Sequence, residues 1–192
     1  MTMNEQWIRQ RIEEHREVLR QMETQLPQVA EAAAVCREAL EKGHKILLCG
    51  NGGSAADAQH IAAEFMGRYH AERRSLPAVA LTTDTSILTA VANDYEYSRV
   101  FSRQIEGLGE KGDVFWGIST SGNSANVNEA ALMAGQKGLK RIAFTGKDGG
   151  ALAEICETAV IVPSRTTARI QEMHILCAHM ICESIDEWIS RP

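Results

Sequence analysis

Four places along this 192-residue chain carry side chains whose types and spacing can do chemistry. The densest is Ser119-Thr120-Ser121-Gly122-Asn123-Ser124, with hydroxyls at Ser119, Thr120, Ser121 and Ser124 and an amide at Asn123. It follows an apolar run and precedes a helical pattern, so the first amides of a helix add to the hydroxyls. Capping a helix takes one or two such side chains, not five. The excess points to a cradle for an oxyanion that uses neither Lys nor Arg. No purine-binding signature accompanies it, so a phosphate monoester is the ligand that fits. The second place is Gly50-Asn51-Gly52-Gly53-Ser54, also between an apolar run and a helix. Its glycines let backbone amides approach a ligand closely. It is neither a dinucleotide fingerprint nor a Walker A loop, because no Lys follows the glycines. An ordinary strand-to-helix turn with Ser54 as N-cap explains it equally well.

The third place is His60 and Glu64, which share one face of a helix at i,i+4. That spacing sets two metal ligands, or a ligand and a base, side by side. A satisfied surface pair has the same spacing. The fourth is Arg169-Ile170-Gln171-Glu172-Met173-His174, followed by His179. Gln171 and His179 are eight positions apart, about 80° around a helix, so both lean toward one site. The bland alternative puts His174 over a surface groove and makes His179 a satisfied core histidine. Asn93-Asp94 reads either as turn chemistry or as a site edge. Arg68 either steadies a phosphate or sugar hydroxyl or closes a helix end.

The elements that must position these groups follow from periodicity. Ile8, Ile12, Leu19, Met22 and Leu26, then Val29, Ala33, Cys36 and Leu40, recur at helical spacing and predict two helices over residues 4–42. Pro27 separates them and suits a first helical turn, and Gly43 ends the second. Beyond Gly43 short apolar runs alternate with helical stretches. Strands are predicted at 45–49, 77–81, 113–118, 141–145 and 158–162. Helices are predicted from the first loop to about 68, at 85–92, 97–108, 125–136 and 151–156, and from 168 to 190. That alternation means βα units and a parallel sheet covered on both faces. Ligands in such sheets bind beyond the carboxyl ends of the strands, where both Gly- and Ser-rich loops fall. The chain divides into a helical pair, 1–42, and an α/β domain, 43–192.

Composition closes off other classes. The chain has 20 Lys+Arg against 25 Asp+Glu, a net charge of −5, which argues against a non-specific nucleic-acid binder. No apolar run approaches the roughly 18 residues of a membrane span. Residues 1–11 are polar and hold no apolar core of a secretory leader. The cysteines (Cys36, Cys49, Cys156, Cys177, Cys182) are scattered, with no CxxC, and each sits among apolar neighbours. A reduced, cytoplasmic protein with buried thiols is the expectation.

Taken together, CGNGGSAADAQHIAAE (49–64), ALTTDTS (80–86), ANDY (92–95), GDVFWGISTSGNSANV (112–127), FTGKDGG (144–150) and ARIQEMHIL (168–176) resemble the sugar isomerase (SIS) domain family, in its heptose-phosphate branch. The resemblance spans nearly the whole chain from Gly43, and the leading helical pair fits it too. It implies a five-stranded parallel sheet of flavodoxin-like arrangement. It also implies a homotetramer, with the N-terminal helices packed between subunits. By the same resemblance Ser119, Thr120, Ser121 and Ser124 hold a sugar phosphate. Asn51, Gly52, Gly53, Ser54, Arg68, Asn93 and Asp94 line the sugar, with Glu64 and Gln171 also in reach. His60, Glu64, Gln171 and His179 are the implied zinc ligands, and Glu64 and His179 the acid–base pair. Iron, nickel or manganese would suit the same donors. The implied reaction converts sedoheptulose 7-phosphate to D-glycero-D-manno-heptose 7-phosphate, feeding surface-glycan synthesis. One departure stands out: some isomerases of the family carry Asp before the Arg-Ile-Gln run, where this chain has Ala168. A competing resemblance is to the replication-initiator-associating adaptors of the same family, which bind rather than catalyse. Those adaptors lack the carboxylate and imidazole that this chain has at Glu64 and His179.

Overall fold

A computed structural model describes residues 4–190. The outermost residues of the two predicted segments, 1–3 and 191–192, lie outside the described residues. The chain begins with α1 (Glu5–Gln21), capped by the Asn4 side chain, which accepts from the Trp7 amide. A single 3-10 turn, Met22–Gln25, leads into α2 (Leu26–Glu41). Pro27 lies in the first turn of α2, where its missing N–H has no partner to lose. Gly43 follows at φ 81°, the left-handed conformation that ends a helix without a Cβ clash.

The alternating part is β1 (Ile46–Gly50), α3 (Gly53–Met66), β2 (Ala78–Ala80), α4 (Thr85–Asp94), α5 (Ser102–Leu108), β3 (Val114–Ile118), α6 (Ala125–Gln136), β4 (Lys140–Gly146), α7 (Gly150–Ile155), β5 (Thr158–Val162) and α8 (Thr167–Ile189). The sheet order is β2-β1-β3-β4-β5 and every pairing is parallel. This is the expected five-stranded sheet in its flavodoxin-like order. The region predicted as one helix over 97–108 is instead a 3-10 turn, Tyr97–Arg99, followed by α5. α4 runs two residues further than predicted, so Asn93 and Asp94 lie in its last turn and not in a loop.

Successive strand residues point to opposite faces, and the two faces build two cores. Ile46, Leu48, Trp116 and Phe144 pack with α2, α3 and α8. Leu47, Cys49, Phe115 and Ala143 pack with α5, α6 and α7. Both faces of the central strands are therefore dry, which explains their unbroken apolar runs. Val18, Met22, Val29, Cys36 and Leu40 of the leading helices belong to the first of these cores. At the sheet edge, the Ile161 amide of β5 donates to Gln25 Oε1 at 2.9 Å, so the turn between α1 and α2 covers an otherwise open strand.

All the cysteines are buried and unbonded to each other. Burial pushes the Cys177 thiol up to about 11 and those of Cys156 and Cys182 up to about 12. These thiols are packing groups, as expected. Among the described residues no helix is long and apolar enough to cross a membrane.

Candidate active site

Strand order reverses between β1 and β3. Chains leaving their carboxyl ends turn to opposite faces, α3 to one and α6 to the other, and leave a crevice between. Both predicted loops open into it. The first loop turns at Gly52, whose φ of 57° and ψ of −122° are open only to glycine. Gly52 is the N-cap, so the alternative in which Ser54 caps the helix is corrected: Ser54 is the second residue of α3 and is buried. The reason is that the chain needs a positive φ at the turn, which places the cap two residues early.

Asn51 does not stand free. Its amide and that of Asn126, at the start of α6, exchange two hydrogen bonds of 2.9 Å each. Tyr97 donates its hydroxyl to the same Asn51 oxygen at 3.2 Å. These bonds bridge the crevice and fix the two loops relative to one another. Neither Asn126 nor Tyr97 stands out in the sequence. The one usable signal is that Asn126 precedes Ala130 and Ala134 at helical spacing, a polar residue on the buried stripe of α6.

The second loop is braced from within. Ser119 and Ser124 share a hydrogen bond of 3.0 Å between their hydroxyls. The Asn123 amide N–H donates to Ser121 Oγ at 3.1 Å. Ser124 is the N-cap of α6, and its hydroxyl makes no capping bond to that helix. Leu152 N–H and Ala151 N–H, in α7, donate to the Gly122 carbonyl and to Asn123 Oδ1. Gly122 has φ 66°, and any Cβ there would run into the Gly149 carbonyl. Ser119, Thr120, Ser121 and Ser124 are thus held on a rigid loop at the mouth of the crevice, beside the first amides of α6.

The titratable groups lie on α3 and α8, which run side by side in the same direction. Gln171 of α8 lies against Gly53, so closely that a Cβ there would overlap its amide. His179 meets His60, with ring centroids 5.1 Å apart and planes at 71°. Asp186 reaches the backbone of His70 and Ala71, just past the end of α3. His60 Nε2 and Glu64 Oε1 are 3.0 Å apart. One ligand atom from each of His60, Glu64 and His179 lies within 4.8 Å of the others. Two imidazoles and a carboxylate, partly open to solvent, are the donor set of a catalytic zinc or a similar divalent cation, so these residues fit a metal. The Tyr69 ring lies near that of His179, with centroids 5.8 Å apart and planes at 42°. Gln171 sits nearer the first loop than this cluster does.

Other predicted residues lie apart. Arg68 is exposed, and its guanidinium donates to the His70 carbonyl at 3.1 Å. Asn93 donates to Asp94 at 2.8 Å on the exposed end of α4. The alternative that made His174 a surface residue and His179 a core one is reversed. His174 is buried, donates from Nε2 to the Thr145 carbonyl of β4 at 2.9 Å and packs on Phe144, while His179 is half-buried. Helical phase decides this, because His174 continues the core stripe of Ile170, Cys177 and Ile181.

That burial has a measurable consequence. Loss of hydration lowers the His174 pKa from 6.5 to about 4, against a smaller opposing pull from the Thr145 carbonyl. Above pH about 6.5 the ring is neutral folded or unfolded, and its full contribution is present. Between about 6.5 and 4 only the unfolded chain takes up a proton, so stability falls as pH falls. A loss of about 3 kcal/mol over that window is expected, read from urea midpoints at stepped pH. His174→Gln should flatten the step. An unchanged pH profile in that variant would show that other groups cause it.

With this geometry in place, similarity to known proteins is informative. A model of the SIS domain matches residues 10–146. The phosphoheptose isomerase of Aliarcobacter butzleri is 56% identical over 177 residues, covering 92% of this chain and 94% of that protein. The phosphoheptose isomerase of Roseiflexus sp. is 53% identical and covers 94% of this chain and 92% of that one. The solved structure of the phosphoheptose isomerase from Neisseria gonorrhoeae superposes with a TM-score of 0.89 at 47% identity, over 94% of this chain and 97% of that one. Shared sequence over this length and a shared overall fold leave one assignment: the chain belongs to the SIS domain family, among its phosphoheptose isomerases.

Proposed function

We propose that the protein interconverts sedoheptulose 7-phosphate and D-glycero-D-manno-heptose 7-phosphate, the first step toward heptose units for surface glycans. What supports this reading is the His60–Glu64–His179 cluster on α3 and α8, α3 being the helix opened by the loop after β1, together with the hydroxyl-rich loop at the end of the neighbouring strand β3. Ser119, Thr120, Ser121 and Ser124 bind the phosphate with hydroxyls and the α6 amides. Anchoring that end turns binding energy into orientation of the reacting carbons. Asn51, Gly52, Gly53, Ser54 and Gln171 line the sugar, and by resemblance to the family Arg68, Asn93 and Asp94 contact it too. Glu64 takes the proton from one carbon and returns it to its neighbour, through an enediol. His179, on the facing helix, moves a proton at the oxygens. His60, Glu64 and His179, with the Gln171 amide, hold a divalent cation, which we assign as zinc. Lewis-acid stabilisation of developing enediolate charge is what that cation supplies when bound.

The same reading places the protein in the cytoplasm, as a homotetramer that binds neither nucleic acid nor membrane. The exposed apolar side chains of α1 (Ile8, Ile12, Leu19) and of the start of α2 (Leu26), with Met180 on α8, support burial against other subunits. A groove of about 410 Å³ between α1 and α8, lined by Leu19, Met22, Leu26, Leu176 and Met180, is continuous with them. In this reading residues 1–42 serve assembly and 43–192 the reaction.

The test is conversion of sedoheptulose 7-phosphate in deuterated water, followed by proton NMR, with zinc added or a chelator present. Aldose product carrying deuterium at C2, lost on chelation, is expected. No conversion with any divalent metal would instead favour the binding-only adaptors of the family.

A further inference from the structure

The acid–base pair assigned above is split between two helices, Glu64 on α3 and His179 on α8. Something must fix the distance between them. α3 ends at Met66, and its last carbonyls have no partners within the helix. Arg73 supplies them from the following loop. It donates from Nη2 to the Glu64 carbonyl at 2.7 Å, and from Nη1 to the carbonyls of Phe65 at 3.0 Å and Gly67 at 3.4 Å. The same Nη1 also reaches the Arg74 carbonyl at 3.0 Å. Its Nε donates to Asp186 Oδ1 on α8 at 2.6 Å. The other Asp186 oxygen accepts from the His70 and Ala71 amides at 2.9 and 2.6 Å. Both side chains are only 4% exposed. Asp186 follows His179 by seven positions, two turns, so the two share a face of α8.

We propose that Arg73 and Asp186 are positioning residues for the reaction: together they clamp the backbone of Glu64 to α8 and so set the separation of Glu64 from His179. The inference rests on the function proposed above. Neither residue touches the phosphate loop, which is braced separately by Asn123 and α7. Loosening the clamp should therefore harm metal uptake and turnover and spare phosphate binding. Arg73→Lys is the informative variant. It keeps the buried positive charge, but an ammonium cannot span four carbonyls and a carboxylate with a planar fork. Supporting side chains behind metal ligands change affinity by about 10–100-fold when lost.

The experiment compares wild type, Arg73→Lys and Asp186→Glu. Zinc affinity is measured by calorimetric titration of the metal-stripped protein, and kcat and KM by the isomerase assay. The expected result for Arg73→Lys is zinc affinity weakened by about tenfold or more and kcat lowered by about tenfold or more, with KM within about twofold. Asp186→Glu, which keeps the carboxylate, should lose less of both than Arg73→Lys does. A lower melting temperature with zinc affinity and kcat unchanged would make the clamp purely structural and overturn the inference. A raised KM at unchanged kcat would overturn it too, by placing the effect on substrate binding. Wild type that takes up zinc but turns nothing over would sink the proposed function while the zinc affinities still judge the clamp. Wild type that takes up no zinc would overturn both.

Discussion

Glu64→Gln should lower turnover of sedoheptulose 7-phosphate by about 10³-fold with the fold unchanged, within the range that general acid–base catalysis commonly supplies. The side chains are nearly the same size, and the substituted amide can still accept from His60, whose Nε2 lies 3.0 Å from Glu64 Oε1 in the native protein. What is lost is the negative charge and the basic lone pair. An amide cannot take a proton from carbon at neutral pH, so the variant should also fail to exchange substrate protons with deuterated solvent. Glu64 is partly solvent-exposed, with 22% of its side chain accessible, so the change should cost within about 0.5 kcal/mol of stability. Circular dichroism and urea midpoints check the second point, and NMR of the deuterium wash-in checks the first. Turnover near the wild-type rate would remove Glu64 from the role of base.

Asp186→Ala carries the largest expected effect on stability, about 3–5 kcal/mol. Deleting the carboxylate strands a buried guanidinium and leaves the His70 and Ala71 amides without their acceptor. A buried charge without a partner costs far more than an exposed pair contributes. For a domain of this length the loss corresponds to a fall in melting temperature of roughly 10 °C. The surface pair Arg9–Glu5, with more than 70% of each side chain exposed, serves as control. Glu5→Ala should shift melting little, about 0–1 kcal/mol. Equal shifts in the two variants would mean the Arg73–Asp186 pair is not the structural anchor its burial indicates.

The alternation of strands and helices, and the loops that end at the crevice, could be read from residue order alone. Those features rest on local rules: apolar period, glycine at a positive φ, and helix starts rich in hydroxyls. They were legible because each is written within a few neighbouring residues. His60 and Glu64 were legible as a pair for the same reason, since i,i+4 spacing places them together on any helix. What the pair is for was not legible from spacing. That depends on His179, 115 positions after Glu64, arriving beside His60 when α8 packs along α3. The two histidines of α8 show the limit sharply. His174 and His179 have the same chemistry, and only helix phase against β4 makes one a core residue and turns the other toward the carboxylate. Tyr97, Arg73 and Asp186 were invisible for the same physical reason. Their hydrogen bonds join segments distant in sequence, and a polar side chain carries no local mark of a partner that folding brings to it. Local propensity wrote the elements and the loops. Long-range packing of two helices on one sheet face settled which side chains meet.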